Sequence, residues 1–330
     1  MNLLDSLPKP FFVLAPMDDV ADTVFRQIVA DCAPPDLFFT EFVNVDGLQS
    51  PGRPKLLRRL LCSAKDTPLV VQLWGKDPNN FRKTASELAD GTFARELNLP
   101  DEVSFAGIDL NMGCPDKTVV KNGTCSALIN NRQLAADIIR ATQVGADNRL
   151  PVSVKTRLGF SAVDLSWPEF LLQQNLAMLT IHARTRQEMS KVPAHWDIFG
   201  DIIKLRDQHA PATKIVGNGD ITSRQQGIEL AKQYSLDGIM IGRGVFQDPF
   251  VFSEQSPWSG YSKDQKLILF ERHVRLFAQT WRHDERQSVL LNKFCKIYIQ
   301  GFDGAKELRE ELMGAHSVSE LLDLLGTANV

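Results

Sequence analysis

Apolar runs of five to seven residues punctuate the first three quarters of the chain, at 11–15, 37–43, 69–73, 105–110, 152–156, 178–182 and 236–241, with a shorter run at 214–216. Few of them alternate cleanly with polar residues, as expected of strands covered on both faces in a parallel sheet. Between them, segments 22–30, 79–89, 132–144 and 223–233 carry the spacing of helices that bury one face. Asn79 and Ser223 stand where helix N-caps are expected. Eight strand–helix units in about 245 residues predict an α/β fold, a closed (β/α)8 TIM barrel, with an open doubly wound sheet as the alternative.

After Pro257 the strand pattern stops. Segments 263–282, 285–300, 305–313 and 317–325 read as helices, with breaks at 282–284, 301–304 and Gly314. The expected organisation is a barrel domain over residues 1–256 followed by an all-helical domain over 257–330.

Composition narrows the function classes. The chain has 330 residues, enough for a barrel of about 250 plus an appendage. Its 43% hydrophobic and 23% charged content excludes a disordered or collagen-like chain. No apolar run approaches membrane-spanning length and no signal-peptide pattern opens the sequence, so no membrane association is expected. The five cysteines (32, 62, 114, 125, 295) are odd in number and lack Cys-x-x-Cys spacing. A disulfide framework or zinc ribbon is therefore not expected, and the cytoplasm is the expected location. No metal and no obligatory protein partner are signalled.

The net charge of -3 means that a polyanion would have to meet a local positive surface. Residues 47–65 hold Arg53, Lys55, Arg58, Arg59 and Lys65 with no acid, and residues 263–300 hold eight lysines or arginines against four acids. Solvated helix faces explain these stretches equally well. Phe294, Tyr298 and Phe302 could stack on bases, but their helical spacing favours core.

In a parallel barrel the loops after the strands converge on one mouth, where chemistry resides. The predicted strand ends are unusually polar: Ala15-Pro16-Met17-Asp18-Asp19, Thr40-Glu41, Gln72-Leu73-Trp74-Gly75, Asn111-Met112-Gly113-Cys114-Pro115-Asp116-Lys117, Lys155-Thr156-Arg157, His182-Ala183-Arg184, Asn218-Gly219-Asp220 and Gly242-Arg243-Gly244. Each alone has an ordinary structural explanation, as a paired side chain or a turn former. Eight such ends together favour a site. The last two place small residues and Arg243 where such barrels bind a phosphate. Lys155 and Gln72 suit a flat heterocycle: an ammonium stabilises charge on a reduced flavin ring, and an amide bonds its carbonyl edge.

Cys114, in a Gly-Cys-Pro turn directly after a buried strand, is the sharpest candidate for chemistry, as general acid or nucleophile. Cys32, Cys62 and Cys295 read as apolar filler, and Cys125 as filler or as packing beneath the same loop. A hydrolytic pair of Cys114 with His182 lacks a supporting oxyanion motif.

In this order the strand ends resemble the dihydrouridine synthases, flavin-dependent enzymes that modify tRNA. Asn111-Met112-Gly113-Cys114-Pro115 is the specific stretch. Ala15-Pro16-Met17, Val71-Gln72-Leu73, Lys155-Thr156-Arg157-Leu158-Gly159, His182-Ala183-Arg184-Thr185, Gly217-Asn218-Gly219-Asp220 and Gly242-Arg243-Gly244 are also similar, and are partly shared with other FMN barrels such as dihydroorotate dehydrogenases. The resemblance covers the barrel and the helical tail. It implies FMN at the mouth, NADPH or NADH as reductant, and saturation of the C5–C6 bond of a D-loop uridine in tRNA.

By matching position, Cys114 is expected to protonate C5. Pro16, Met17, Asp18, Gln72, Lys155, His182, Asn218, Gly219, Asp220, Gly242 and Arg243 are expected to hold the flavin. Glu41, Asn111, Arg157 and Arg184 are expected to face the target base or its backbone. An FMN-dependent dehydrogenase of a small pyrimidine, or a non-catalytic RNA-binding barrel, is the competing reading. Two departures from the family pattern are residues 90–104, which read as an insertion, and Cys125, where many members carry a small residue such as glycine.

Overall fold

Alternate residues of a strand face opposite sides of its sheet, and here that parity explains both the barrel and its mouth. The computed structural model describes residues 3–282 and 285–328. Its principal strands are β1 (Phe11–Leu14), β2 (Phe38–Phe39), β3 (Leu69–Trp74), β4 (Phe105–Met112), β5 (Val152–Arg157), β6 (Met178–His182), β7 (Lys214–Asn218) and β8 (Gly238–Ile241). All pair in parallel with their sequence neighbours from β2 to β8. β1 closes the ring by pairing with β8 from Phe11↔Gly238 to Leu14↔Ile241, and it reaches the second strand through a Val13–Leu37 bridge.

One parity points into the ring. Phe11, Val13, Phe39, Val70, Met178, Val216 and Met240 fill its lower part with apolar side chains. Two residues further along the same faces stand Gln72, Thr180 and Asn218, and the register Gln72↔Asp109↔Ser153 continues this polar layer around the sheet. The opposite parity, including Phe12, Leu14, Val71, Leu73, Ile108, Val154, Leu179, Ile215 and Ile239, packs in the outer core with the helices.

The helices begin where short polar side chains satisfy the first free N–H groups. Asp22 caps Thr23–Cys32 by accepting from Phe25 N at 2.9 Å. Ser223 caps Arg224–Tyr234, as its position predicts. Pro78–Ala89 starts ahead of the expected Asn79, because Asp77 supplies the cap and Pro78 occupies the first turn.

Two predicted elements differ. The run 37–43 pairs only at β2 and again at Val43–Asn44, which lies beside the end of β3. Thr40 interrupts it, its hydroxyl accepting from Gln72 N at 3.0 Å, and the next residue, Glu41, is fully buried. The expected helix 285–300 is also broken. Gln287 is extended, Ser288–Leu291 forms a tight 3-10 turn, and only Asn292–Tyr298 is α-helical. The extended stretch lets Arg286 reach Glu41 and, at 3.6 Å, Asp22. The expected break at 282–284 extends outside the described residues.

The insertion 90–104 forms the short helix Thr92–Glu96, whose Phe93 is buried under the guanidinium of Arg53.

The tail helices Lys263–Thr280, Asn292–Tyr298, Ala305–Met313 and Val318–Ala328 pack beside the barrel. Phe294 packs at a tilt against Phe25 with ring centroids 5.0 Å apart, and Tyr298 hydrogen-bonds His273 Nδ1 at 3.0 Å. Both rings are core, which removes them as base-stacking platforms. A polar seam adds Trp281 Nε1 donating to Asp22 at 2.8 Å, Lys293 donating to the Asp19 carbonyl at 2.9 Å, and the pairs Arg58–Glu285, Arg272–Asp31 and Arg286–Glu41. Four of the five cations in the acid-free tract 47–65 meet counter-charges across space: Arg53 pairs with Glu87 and Glu96, Arg58 with Glu285, Arg59 with Asp18, and Lys65 with Asp31. Among the described residues no helix is long and apolar enough to cross a membrane.

Arg26 and Asp66 form a fully buried pair at 2.7 Å, and Asp66 also accepts from Thr23 Oγ1 and Ser63 N. Asp66→Ala leaves the Arg26 guanidinium uncompensated in the interior, and the expected loss is about 3–5 kcal/mol, read as a lowered denaturant midpoint. A loss under about 1 kcal/mol would mean that water reaches Arg26 and the pair is dispensable.

Candidate active site

The turn after β4 is built by one asparagine. Asn111 Oδ1 accepts from Gly113 N at 3.1 Å and from Cys114 N at 2.9 Å, folding the chain so that Cys114 is half-buried at the mouth. Asn111 is itself held: its amide donates to Gln72 Oε1 at 3.0 Å, and Gln72 donates to Asp109 at 2.7 Å. Ser153 Oγ completes the layer with a 2.6 Å bond to Asp109. Burial pushes the Asp109 carboxyl up to about 6, against the pull of Ser153, Gln72 and Lys155. From the other side, Arg157 clamps the turn by donating to the Gly113 carbonyl at 2.8 Å, and it also bonds the carbonyls of Thr185 and Met189.

Next to that turn the mouth is strongly cationic. Asn111 and Lys155 are register partners, and Lys155 Nζ donates to Asn218 Oδ1 at 3.3 Å. Burial lowers the Lys155 ammonium to about 8, so it remains mostly charged at neutral pH. His182 is driven well below its ordinary range by burial and then by Lys155, Arg157, Arg184 and Arg243. Arg184 donates to His182 Nε2 at 3.0 Å, which requires a neutral ring with a free lone pair there.

A cavity of about 460 Å³ opens over β1 and β5 to β8, lined by Pro16, Met17, Lys155, His182, Asn218, Gly219, Asp220, Gly242 and Arg243 among others. Its size suits a cofactor-sized ligand. The turn 242–244 closes one end of it. Arg243 offers an exposed guanidinium there, paired at 2.9 Å with Asp220, and a tight 3-10 turn begins at the same residue, where the first N–H groups lack helical acceptors. A larger recess of about 700 Å³ lies at the opposite end, lined by Leu3, Arg149, Pro151 and Lys214. The polar strand ends do not reach it; they gather at the smaller one.

The structure thus brings nine of the eleven expected flavin contacts around one cavity. Gln72 lies fully buried beneath it, bonded to Asp109 and Asn111. Asp18 turns to Arg59. Of the expected base-facing residues, Asn111 supports the Cys114 turn, and Glu41 is engaged by Arg286 and Arg59 and accepts from Asp19 N at 2.7 Å. Arg157 and Arg184 are buried against loop carbonyls. Asp109 and Ser153, which with the already noted Thr40 carry the layer below the mouth, were not singled out because they sit inside apolar runs. Ser190 and Gln247, on loops without a pattern, also line the cavity.

The sequence matches the family model described as dihydrouridine synthase (Dus) over residues 13–329. The chain belongs to the dihydrouridine synthase family. Family membership makes it an oxidoreductase. A probable tRNA-dihydrouridine synthase of Staphylococcus aureus (strain COL) is 45% identical over 327 residues, covering 98% of this chain and 94% of that one. Probable tRNA-dihydrouridine synthase 2 of Bacillus subtilis (strain 168) is 45% identical over 328 residues, covering 98% and 95%. Among solved structures, histamine dehydrogenase from Rhizobium sp. 4-9 is similar in fold, with a TM-score of 0.52 at 14% identity. That alignment covers 80% of this chain, which spans about half of the larger enzyme, 48%. The dihydrouridine synthase barrel therefore shares its architecture with a much longer enzyme of little sequence similarity.

In this family member the turn 242–244 has no room for a side chain at Gly244, where a Cβ would collide with the carbonyl oxygen of Ile221. Gly244→Ala must push the turn off the end of β7, at a cost of about 1–3 kcal/mol in stability. The expected result is at least a tenfold weaker affinity (roughly 1.4 kcal/mol) for a phosphate-bearing ligand by equilibrium dialysis. Unchanged affinity would remove this turn from anion binding.

Proposed function

We propose that the protein is a tRNA-dihydrouridine synthase that saturates the C5–C6 double bond of a D-loop uridine, using FMN as its resident cofactor and NADPH as reductant. The observation that carries the reading is the Cys114 thiol, held by Asn111 in a turn next to Lys155, which lines a cationic cavity of flavin size. Both relatives named above carry the description probable tRNA-dihydrouridine synthase, which supports tRNA as the substrate.

The residues present fit the cofactor. Arg243 and the N–H groups of the 242–244 turn would hold its phosphate, with Gly219 and Asp220 alongside. Pro16, Met17, His182 and Asn218 would bound the ring, and Lys155 would place positive charge beneath it. When bound, FMN supplies hydride to C6 of the uridine and is restored by NADPH. Cys114 then delivers a proton to C5, so that hydride and proton together saturate the bond and leave a thiolate. Asn111 and Arg157 hold the Cys114 turn while this happens, and Lys155 favours negative charge developing on the pyrimidine. Glu41 and Arg184 act on the base indirectly, through the loops they fix. The uridine must leave its stack to reach the mouth, at a cost of a few kcal/mol. The helical domain from 257 onward supplies the second tRNA-binding surface.

Cys114→Ala tests the assignment. The purified variant should stay yellow and bind FMN as the parent does, while dihydrouridine formation in a single turnover falls about 10²–10⁴-fold. Full activity of the variant would displace Cys114 as proton donor, and a colourless parent that refuses FMN would remove the cofactor.

A further inference from the structure

Pro16 and Met17, which line the cavity, lead straight into a sharp turn. Val20 N at 3.2 Å and Ala21 N at 2.9 Å both donate to the Met17 carbonyl. Inside that turn Asp19 has a φ of +54°, a left-handed conformation that costs a side-chain-bearing residue and that glycine adopts freely. Nothing in the turn itself favours an aspartate with that backbone.

Both backbone groups of Asp19 are held from outside the turn. Its N–H donates to Glu41 Oε1 at 2.7 Å, and its carbonyl accepts from Lys293 Nζ at 2.9 Å. Glu41 is fully buried, and its other oxygen accepts from Arg286. The Arg286 guanidinium is fixed in turn, 3.6 Å from Asp22 and over the Trp281 ring at 4.9 Å from its centroid. Arg59 of the barrel approaches Asp19 and Glu41 only at 3.5 and 3.7 Å, so the closer contacts come from the tail. A buried carboxylate aimed at one N–H and a lysine aimed at the adjoining carbonyl make a clamp on a single strained peptide segment.

We propose that Lys293 and Arg286 are positioning residues for the cavity wall: from the helical tail they clamp Asp19 in its left-handed turn and so hold Pro16 and Met17 in the shape that receives the cofactor. Neither residue lines the cavity. The tail then completes the cofactor site as well as offering a surface to RNA. This rests on the reading that FMN occupies the cavity. Once the clamp is released, Asp19 relaxes toward ordinary backbone angles, the fraction of chains with a binding-competent wall falls, and affinity falls with that fraction.

The test uses the full chain freed of flavin and the variant Lys293→Met, which keeps the apolar stem and removes the donor. Lys293 is half-buried and makes no ion pair among the described residues, so the variant should fold. Hydrogen exchange at the Val20 and Ala21 amides should quicken at least about fivefold, with exchange in the barrel strands unchanged. FMN affinity, read by fluorescence titration, should weaken about fivefold. Adding Asp19→Gly to the same chain should restore affinity to within about twofold, because glycine holds the positive φ unaided. A role for Lys293 in fold stability alone would not be rescued this way. Unchanged exchange and affinity in the folded variant would overturn the proposal, as would faster exchange with parental affinity. A parent that refuses FMN would sink the cofactor reading instead, and the exchange measurement would still decide whether the clamp exists.

Discussion

Burying a carboxylate inside a barrel costs several kcal/mol unless its oxygens are satisfied, and the architecture of the mouth follows from how that cost is met at Asp109. Ser153 takes one oxygen and Gln72 the other. Because Gln72 is committed at its nitrogen, its oxygen is left to orient Asn111, and Asn111 in turn folds the turn that presents Cys114. The Cys114 thiol proposed as proton donor is therefore placed by a chain of three polar side chains in strands β3 and β4, not by the loop itself. Rigid strands hold geometry more closely than loops do, which is what a proton transfer between fixed atoms requires.

A second constraint joins the tail to the barrel. Trp281, Arg286 and Lys293 all bind the loops after β1 and β2, at Asp22, Glu41 and the Asp19 carbonyl. These loops belong to the same rim as Pro16 and Met17. The helical segment and the cavity wall are consequently one packed unit at this point, with Phe25 and Phe294 supplying the apolar contact beneath the polar seam.

Much of this was legible in the sequence, and the reasons for the rest are specific. Strands buried on both faces betray themselves as apolar runs, so the closed barrel could be read, and strand ends that turn polar together marked the mouth. Cavity residues from Lys155 to Arg243 were found because each terminates such a run. Thr40 and Arg286 broke their elements through contacts to residues far away in sequence, Gln72 and Glu41, which periodicity does not register. The counter-charges of the basic tract 47–65, at Glu87, Glu96, Glu285, Asp18 and Asp31, escaped notice for the same reason. Cys125 was visible as a departure, but its positive φ is one that no local pattern signals for cysteine.

Asp220 gives the mouth a property of its own. Its carboxylate bridges Arg184 and Arg243, one arginine buried and the other open to solvent. A phosphate arriving at the rim can draw off the open arginine while the buried one keeps its partner. Loading is then an exchange of counter-ions rather than the capture of an anion by bare charge. Asp220 keeps the Arg243 fork aimed and partly neutralised, so under the proposed function some affinity for stray anions is given up to keep the fork in place for the ligand that fits.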